Sequence, residues 1–275
     1  MTKLKKSAII GSAILIGVGS IGAENTVRIQ NKDNVISSVS DVLVDRNIKD
    51  IYGFRSYMLK ILIDERLKID ENIGRFFRRN PENTLTEEEY VEKLVTVERI
   101  VGGKLFLIKE KKALELAEEK YKVPKEIIVA ILGIETSYGL IKGKYDPVSA
   151  FVSIIEHYPK RIDFATNGLA DLLYICYTDG LDPFEMNSSY AGCIGPGQFF
   201  PPTWKLYGVD GDGDGIRDFK NIKDVIPSVA NLLSKNGWNN SDPIKQKKSL
   251  RAYNPSDNYV AAIMELAVRL GWGNE

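Results

Sequence analysis

Eight consecutive residues, Ile127 to Ile134, are apolar or glycine, and the ninth is a carboxylate, Glu135. A helix built from such a stretch has no polar face to offer water, so it must be enclosed by other elements. Pro124 fits the first turn of that helix, and Thr136-Ser137-Tyr138-Gly139 marks its end at a glycine turn. Desolvation raises the pKa of a carboxyl at such a position, which suits a group that donates a proton near neutral pH. The commoner fate of a helix-end Glu is to point at solvent, and this stretch alone does not choose between the two.

The remaining chain supplies helices to do the enclosing. Phe54, Tyr57, Met58, Ile61 and Leu62 recur at three- and four-residue spacing, so a helix is expected from Ile51. Thr86 and Glu89 form a capping box, Tyr90, Leu94 and Val97 continue its stripe, and Gly102-Gly103 is expected to stop it. Lys104 to Tyr121 reads as one further helix. Helical patterns return around 146–157, 162–178, 223–236 and 256–270, and no alternating strand pattern runs beyond a few residues. The fold class is mainly α. With 275 residues the chain is long enough for one large domain or two small ones. We divide it into an N-terminal helical region, 51–122, and a core, 123–275.

The opening segment reads as an address. Lys3, Lys5 and Lys6 precede the apolar residues 7–18, and small residues follow at Gly19-Ser20-Ile21-Gly22-Ala23. That is the order of a secretory signal peptide, residues 1–23; as a membrane span it would be short and rich in Gly and Ser. Gly17-Val18-Gly19-Ser20-Ile21-Gly22 satisfies a dinucleotide-binding pattern only on paper: the motif needs a strand before it and a phosphate-facing helix after it, and this copy would leave with the signal peptide. Residues 24–50 are polar and aperiodic, a flexible lead. The expectation is an exported protein of the periplasm or cell envelope, with no stable membrane span once the signal is removed.

Charge and composition narrow the chemistry. Lys+Arg and Asp+Glu balance at 37 each, so no field exists to hold a nucleic acid. The lone imidazole, His157, rules out multi-His metal sites. Cys176 and Cys193 are free to pair in an oxidising compartment, although Cys176 lies in an apolar run where a buried thiol is the plainer reading.

Two downstream segments change the odds for Glu135. Ser189 to Pro201 contains Gly195-Pro196-Gly197-Gln198, whose glycines admit a close ligand and whose amide offers both donor and acceptor. Ala252-Tyr253-Asn254 and Tyr259 place an amide and two phenols at a helix start. In this order, Glu135-Thr136, Gly195-Pro196-Gly197-Gln198 and Ala252-Tyr253-Asn254 resemble the motifs of lysozyme-like lytic transglycosylases. The longer stretches Val123 to Thr136, Tyr158-Pro159-Lys160-Arg161, Ser189 to Pro201 and Ser228 to Asn231 are most similar to the lytic murein transglycosylase B family. The resemblance runs from about Tyr90 to Trp238 and resumes from Arg251 to about Leu270.

The resemblance implies a goose-type lysozyme-like helical fold and cleavage of the β-1,4 bond between N-acetylmuramic acid and N-acetylglucosamine. The product would carry a 1,6-anhydro end, with Glu135 as the single acid and base. Ordinary glycosidases need two carboxyls; here the second nucleophile is the C6 hydroxyl of the sugar itself, although spacing leaves Asp146 and Asp163 open as partners. The same resemblance carries Ser189, Gln198, Tyr253, Asn254 and Tyr259 onto the sugar and peptide groove, and Lys160 and Arg161 onto the stem peptide. Lys160 stands where the family has a second arginine and so lacks its forked geometry. Ser149 stands where Asp is more usual, Cys193 where Ala is, and the small β-rich insertion expected after Trp238 is missing. A muramidase on the same fold, or an inactive peptidoglycan-binding module, would share these motifs.

Asp210, Asp212, Asp214 and Asp218 occupy positions 1, 3, 5 and 9 of an EF-hand-like loop, with Gly215 at 6 and the Ile216 carbonyl at 7. Position 12 is Asn221 rather than Glu, and the resemblance implies closure by Asp224 in a longer loop, 210–224. A structural Ca²⁺ is expected, with no organic cofactor, peptidoglycan strands as the partner, and a monomer.

Overall fold

Capping residues decide where the helices start. Thr86 accepts from the Glu89 amide while the Glu89 carboxylate accepts from the Thr86 amide, which closes the capping box. Asp146, Asn221, Asp242 and Ser256 cap four more helices through their side-chain oxygens. This structure, a computed structural model, describes residues 50–78 and 85–273 together with Val35, Ile36 and Val39. The expected signal peptide and nearly all of the lead lie outside those residues.

In chain order the helices are α1 (Ile51–Leu62), α2 (Gly74–Arg78), α3 (Glu87–Leu94), α4 (Val97–Lys109), α5 (Lys111–Tyr121), α6 (Lys125–Thr136) and α7 (Pro147–His157). They continue with α8 (Ile162–Asp179), α9 (Pro201–Tyr207), α10 (Ile222–Lys235), α11 (Pro243–Tyr253) and α12 (Asp257–Leu270). Short 3-10 turns form at Pro159–Arg161 and Pro183–Glu185. Among the described residues, β pairing is limited to isolated antiparallel bridges, Tyr145 with Ser188, Ser188 with Ile194 and Ile194 with Phe199.

The apolar stretch becomes α6, and every residue from Ile127 to Thr136 is buried. Helices α4, α5, α10 and α12 surround it, and α12 lies in turn on α3. Each aliphatic side chain so enclosed contributes about 1.5–3 kcal/mol, which makes α6 the centre of the core. On the other side, α7 packs on α8, and α8 carries α1 and α9. Helices before and after residue 122 share one hydrophobic cluster. Ser149 and Ser153 on α7 accept from the Lys68 and Asp70 amides, which ties the segment after α1 to the core.

Two readings of the N-terminal helices are corrected. Gly102-Gly103 does not stop a helix, because α4 runs through both. The break falls earlier, at Val95-Thr96, where Thr96 caps the new turn by accepting from the Arg99 amide. The two glycines instead leave room for Tyr138: a Cβ on Gly102 would sit 2.9 Å from its ring, and one on Gly103 2.6 Å from its hydroxyl. Lys104 to Tyr121 is two segments rather than one helix, divided at Glu110, and the change of direction turns Leu114 and Ala117 of α5 into the core. Three helices that periodicity did not reveal are α2, α9 and α11, and the last two begin on proline.

Gly133 of α6 meets the same ring, with a Cβ 2.6 Å from the Tyr138 hydroxyl and 2.8 Å from its ring carbon. That ring cannot easily yield, since its hydroxyl donates to the Arg99 carbonyl at 2.6 Å and its face stacks on Phe106. Gly133→Ala is therefore expected to lower stability by about 1–3 kcal/mol through overpacking. A helix glycine with free space around it would instead gain roughly 1 kcal/mol on the same change. Thermal unfolding separates the two by sign.

Candidate active site and acidic loop

Glu135 is the penultimate residue of α6 and is 2% exposed. The chain leaves the helix through three left-handed residues, Ser137 at φ 48°, Tyr138 at φ 65° and Gly139 at φ 83°. Two of them carry side chains, an uncommon conformation, and Tyr138 is held in it by the wedge of small residues described above. Arg99 reinforces the end of the helix by donating from Nε to the Gly133 carbonyl at 2.8 Å. Glu135 is thus fixed by the packing of the turn that follows it.

The carboxylate faces phenols. Tyr259, fully buried near the start of α12, donates its hydroxyl to Glu135 Oε1 at 2.7 Å. Tyr253 lies parallel to it, with ring centroids 6.4 Å apart and 5° between planes, and donates to the Gly197 carbonyl. Burial, and then the charge of Glu135, pushes both phenols well above their ordinary range. Cys193 feels the same charge: burial first and Glu135 second push its thiol up to about 12. Cys176 is buried too, and both thiols are free.

The Gly-rich segment is sewn to the helix end. Thr136 Oγ1 donates to the Pro196 carbonyl at 2.8 Å and accepts from the Gly139 amide. Ser189 is fully buried, and its Oγ accepts from the Cys193 amide at 3.2 Å. Asn254, equally buried, ends α11 and accepts from the Ser256 amide through Oδ1. Gln198 takes a left-handed conformation, φ 47°, and donates from Nε2 to the Gly195 carbonyl at 3.0 Å. Ser189 and Asn254 therefore shape the backbone around Glu135, whereas Tyr259 touches the carboxylate itself.

Lys160 and Arg161 sit apart on the 3-10 turn between α7 and α8. Lys160 is exposed. The Arg161 guanidinium lies between two rings, 5.7 Å from the centroid of Phe77 and 5.7 Å from that of Phe164. Of the two carboxylates left open as partners for Glu135, Asp146 caps α7 by accepting from the Ser149 amide, and Asp163 is exposed on α8. One neighbour of the site passed as a plain core residue in the sequence: Tyr90, 1% exposed, lies on α3, which packs against the α12 helix that carries Tyr259. Its only signal was a hydroxyl in an otherwise aliphatic stripe.

The acidic loop gathers three carboxylates. Ligand oxygens of Asp210, Asp212 and Asp224 all lie within 4.8 Å of one another. Asp224 is fully buried at the start of α10 and accepts from the Gly211 and Asp218 amides. Burial, together with the charges of Asp212 and Asp210, raises its pKa, so the cluster repels itself unless a cation joins it. Carboxylate oxygens are the hard donors that Ca²⁺ prefers, and these three would fill part of its roughly six to eight positions. Asn221 serves the helix instead, capping α10 while it donates to Asp212 Oδ2 at 3.0 Å. Asp214 and Asp218 turn their carboxylates to the Ile216 and Lys220 amides and stand outside the cluster of three. Beyond the loop, Gly195 binds the two regions together, since a Cβ there would lie 2.0 Å from the Phe219 carbonyl.

Known proteins share this fold. The chain is 29% identical over 201 residues to membrane-bound lytic murein transglycosylase B of Escherichia coli strain K12, covering 70% of this chain and 56% of that protein's length. The structure matches that of the E. coli lytic transglycosylase Slt35 in complex with calcium at a TM-score of 0.75 and 24% identity, over 88% of this chain and 92% of the other. It also matches SltB3 from Pseudomonas aeruginosa in complex with NAG-anhNAM-pentapeptide, at a TM-score of 0.75 and 21% identity, over 90% and 81% of the two chains. These likenesses give the described helices the lysozyme-like fold of lytic transglycosylases. Residues 47–252 match the transglycosylase SLT domain, and the chain belongs to that family.

Proposed function

We propose that this protein is an exported lytic transglycosylase that cuts the β-1,4 bond between N-acetylmuramic acid and N-acetylglucosamine in peptidoglycan. The observation that carries the reading is the setting of Glu135, enclosed at a helix end, held at Oε1 by Tyr259, with phenols and a thiol as its titratable neighbours. Glu135 begins the reaction protonated, the form from which a general acid acts. Glu135 gives its proton to the glycosidic oxygen as the C1–O bond breaks. The resulting carboxylate takes the proton of the C6 hydroxyl, whose oxygen closes on C1. One carboxyl serves both steps, and Tyr259 keeps it oriented through each.

In this reading Gln198, Tyr253 and Tyr259 border the sugar site, Ser189 and Asn254 hold its backbone, and Arg161 with Lys160 meets the stem peptide. The rings of Phe77 and Phe164 keep the Arg161 fork open toward a carboxylate. A Ca²⁺ held by Asp210, Asp212 and Asp224, with Asp214, Ile216 and Asp218 as the other expected ligands, neutralises the loop and keeps it against Gly195. Its part is structural. The division into a helical region and a core, export by residues 1–23, an envelope location and a monomeric state complete the proposal; among the described residues no helix is long and apolar enough to cross a membrane.

Purified protein acting on peptidoglycan is expected to release muropeptides one water lighter than the reducing-end form, as read by mass spectrometry. Glu135→Gln should abolish them. Reducing ends from the wild type would mean hydrolysis instead, and no release at all would mean a binding module. Tyr259→Phe keeps the ring and loses the bond to Glu135; we expect kcat to fall by about tenfold, the scale of one hydrogen bond to a charged group, with KM little changed. Calcium at about 100 times its Kd should stabilise the wild type by about 2.7 kcal/mol. Chelator should reverse this, and Asp212→Asn should not respond to calcium in thermal unfolding.

A further inference from the structure

Beside the helix end, a cavity of about 200 Å³ opens between the turn after α6, Asn187 and the Gly195–Gln198 segment. Two lysines line it, Lys142 and Lys220, and no carboxylate does. Neither ammonium is in an ion pair with a described residue, and both side chains are exposed. Two ammonium groups at a cavity whose lining holds no carboxylate attract an anion.

The cavity has fixed walls. Gly143 is pressed against Ser188 so closely that a Cβ would lie 1.8 Å from the Ser188 carbonyl oxygen. Asn187 Nδ2 donates to the Gly143 carbonyl at 3.3 Å, and Tyr145 and Ser188 exchange backbone hydrogen bonds just beyond it. On the opposite wall, Lys220 follows Phe219, whose carbonyl abuts Gly195 and whose ring stacks on buried Trp204 at 4.5 Å. The calcium loop therefore sets where Lys220 emerges.

Gln198 supplies the second observation. It is 5% exposed, and its Nε2 is committed to the Gly195 carbonyl. That partner is an acceptor, so the amide orientation is fixed and Oε1 is left as a buried acceptor without a protein donor. Such an atom is expensive to leave unsatisfied. A ligand bringing an N–H or O–H beside an anionic group would satisfy Gln198 and the lysines together.

We propose that this cavity is a carboxylate-binding subsite for the peptidoglycan substrate, with Lys142 and Lys220 supplying the charge and Gln198 accepting from a neighbouring amide or hydroxyl. The proposal rests on the transglycosylase reading above, since the anions that peptidoglycan itself presents are carboxylates. Two sources share that chemistry: the lactyl carboxylate of a muramic residue stripped of peptide, and the carboxylates of an intact stem peptide. The site shares no residue with the Arg161 turn, so the substrate would be held by charge at two separate points.

The test measures binding rather than turnover, on the full chain carrying Glu135→Gln. Soluble glycan strands are offered in three forms: peptide-bearing, stripped by an amidase, and peptide-bearing with the carboxylates amidated. Lys142→Gln and Lys220→Gln are each expected to weaken binding of a free-carboxylate form on the order of fivefold, the scale of a part-exposed ion pair. Binding of the amidated form should not change. A loss confined to stripped strands assigns the lactyl group, and one confined to peptide-bearing strands assigns the stem peptide. Unchanged binding in both, or an equal loss on the amidated form, overturns the subsite. The transglycosylase reading stands or falls separately, on whether the wild type releases anhydro products.

Discussion

A carboxyl group enclosed by hydrocarbon needs a partner and a rigid seat, and most of this structure is arranged to provide them for Glu135. The seat is the end of α6, and its rigidity comes from Tyr138, whose ring is received by Gly102, Gly103 and Gly133 and tethered to the Arg99 carbonyl. The partner arrives from the far end of the chain, where Ser256 starts α12 so that Tyr259 falls one turn in, facing Oε1. Residues 124 positions apart meet in one hydrogen bond. Helix packing, more than any loop, brings them together.

The Gly-rich segment links this centre to the acidic loop. Gly195 approaches the Phe219 backbone too closely for any side chain, and Phe219 anchors its loop on Trp204. Charge balance in the loop is therefore not a local matter. Three clustered carboxylates, one fully buried, bear on the position of Phe219 and, through it, on the turn that carries Gln198.

Much of this was legible because it is written in short-range signals. Periodicity and caps placed α1, α3, α6, α7, α8, α10 and α12, since an apolar stripe and a capping oxygen act within a few residues. The glycine pair at 102–103 misled because helix propensity is a weak prior: what needed those glycines was a tyrosine 35 residues away, and sequence carries no mark of such a contact. α9 went unread because it is only seven residues long, and α11 because its sequence is mainly polar and carries little apolar stripe. Within the site, Glu135 and Tyr259 lay within the motifs, whereas Tyr90 was hidden by looking like any core residue. Asp224 lay outside the standard twelve-residue loop, and its approach to Asp210 and Asp212 depends on the path of the chain between them.

The two cysteines carry a consequence for how the chain matures. Both thiols are buried, and burial suppresses the thiolate that forms disulfides. Protection of that kind exists only once the core has closed. In an oxidising compartment an unfolded chain with two accessible thiols would be open to pairing them or to capture by another chain. Were the chain to fold in such a compartment, folding and oxidation would be in a race, and the deep placement of Cys176 and Cys193 would put both thiols out of reach once the core had closed.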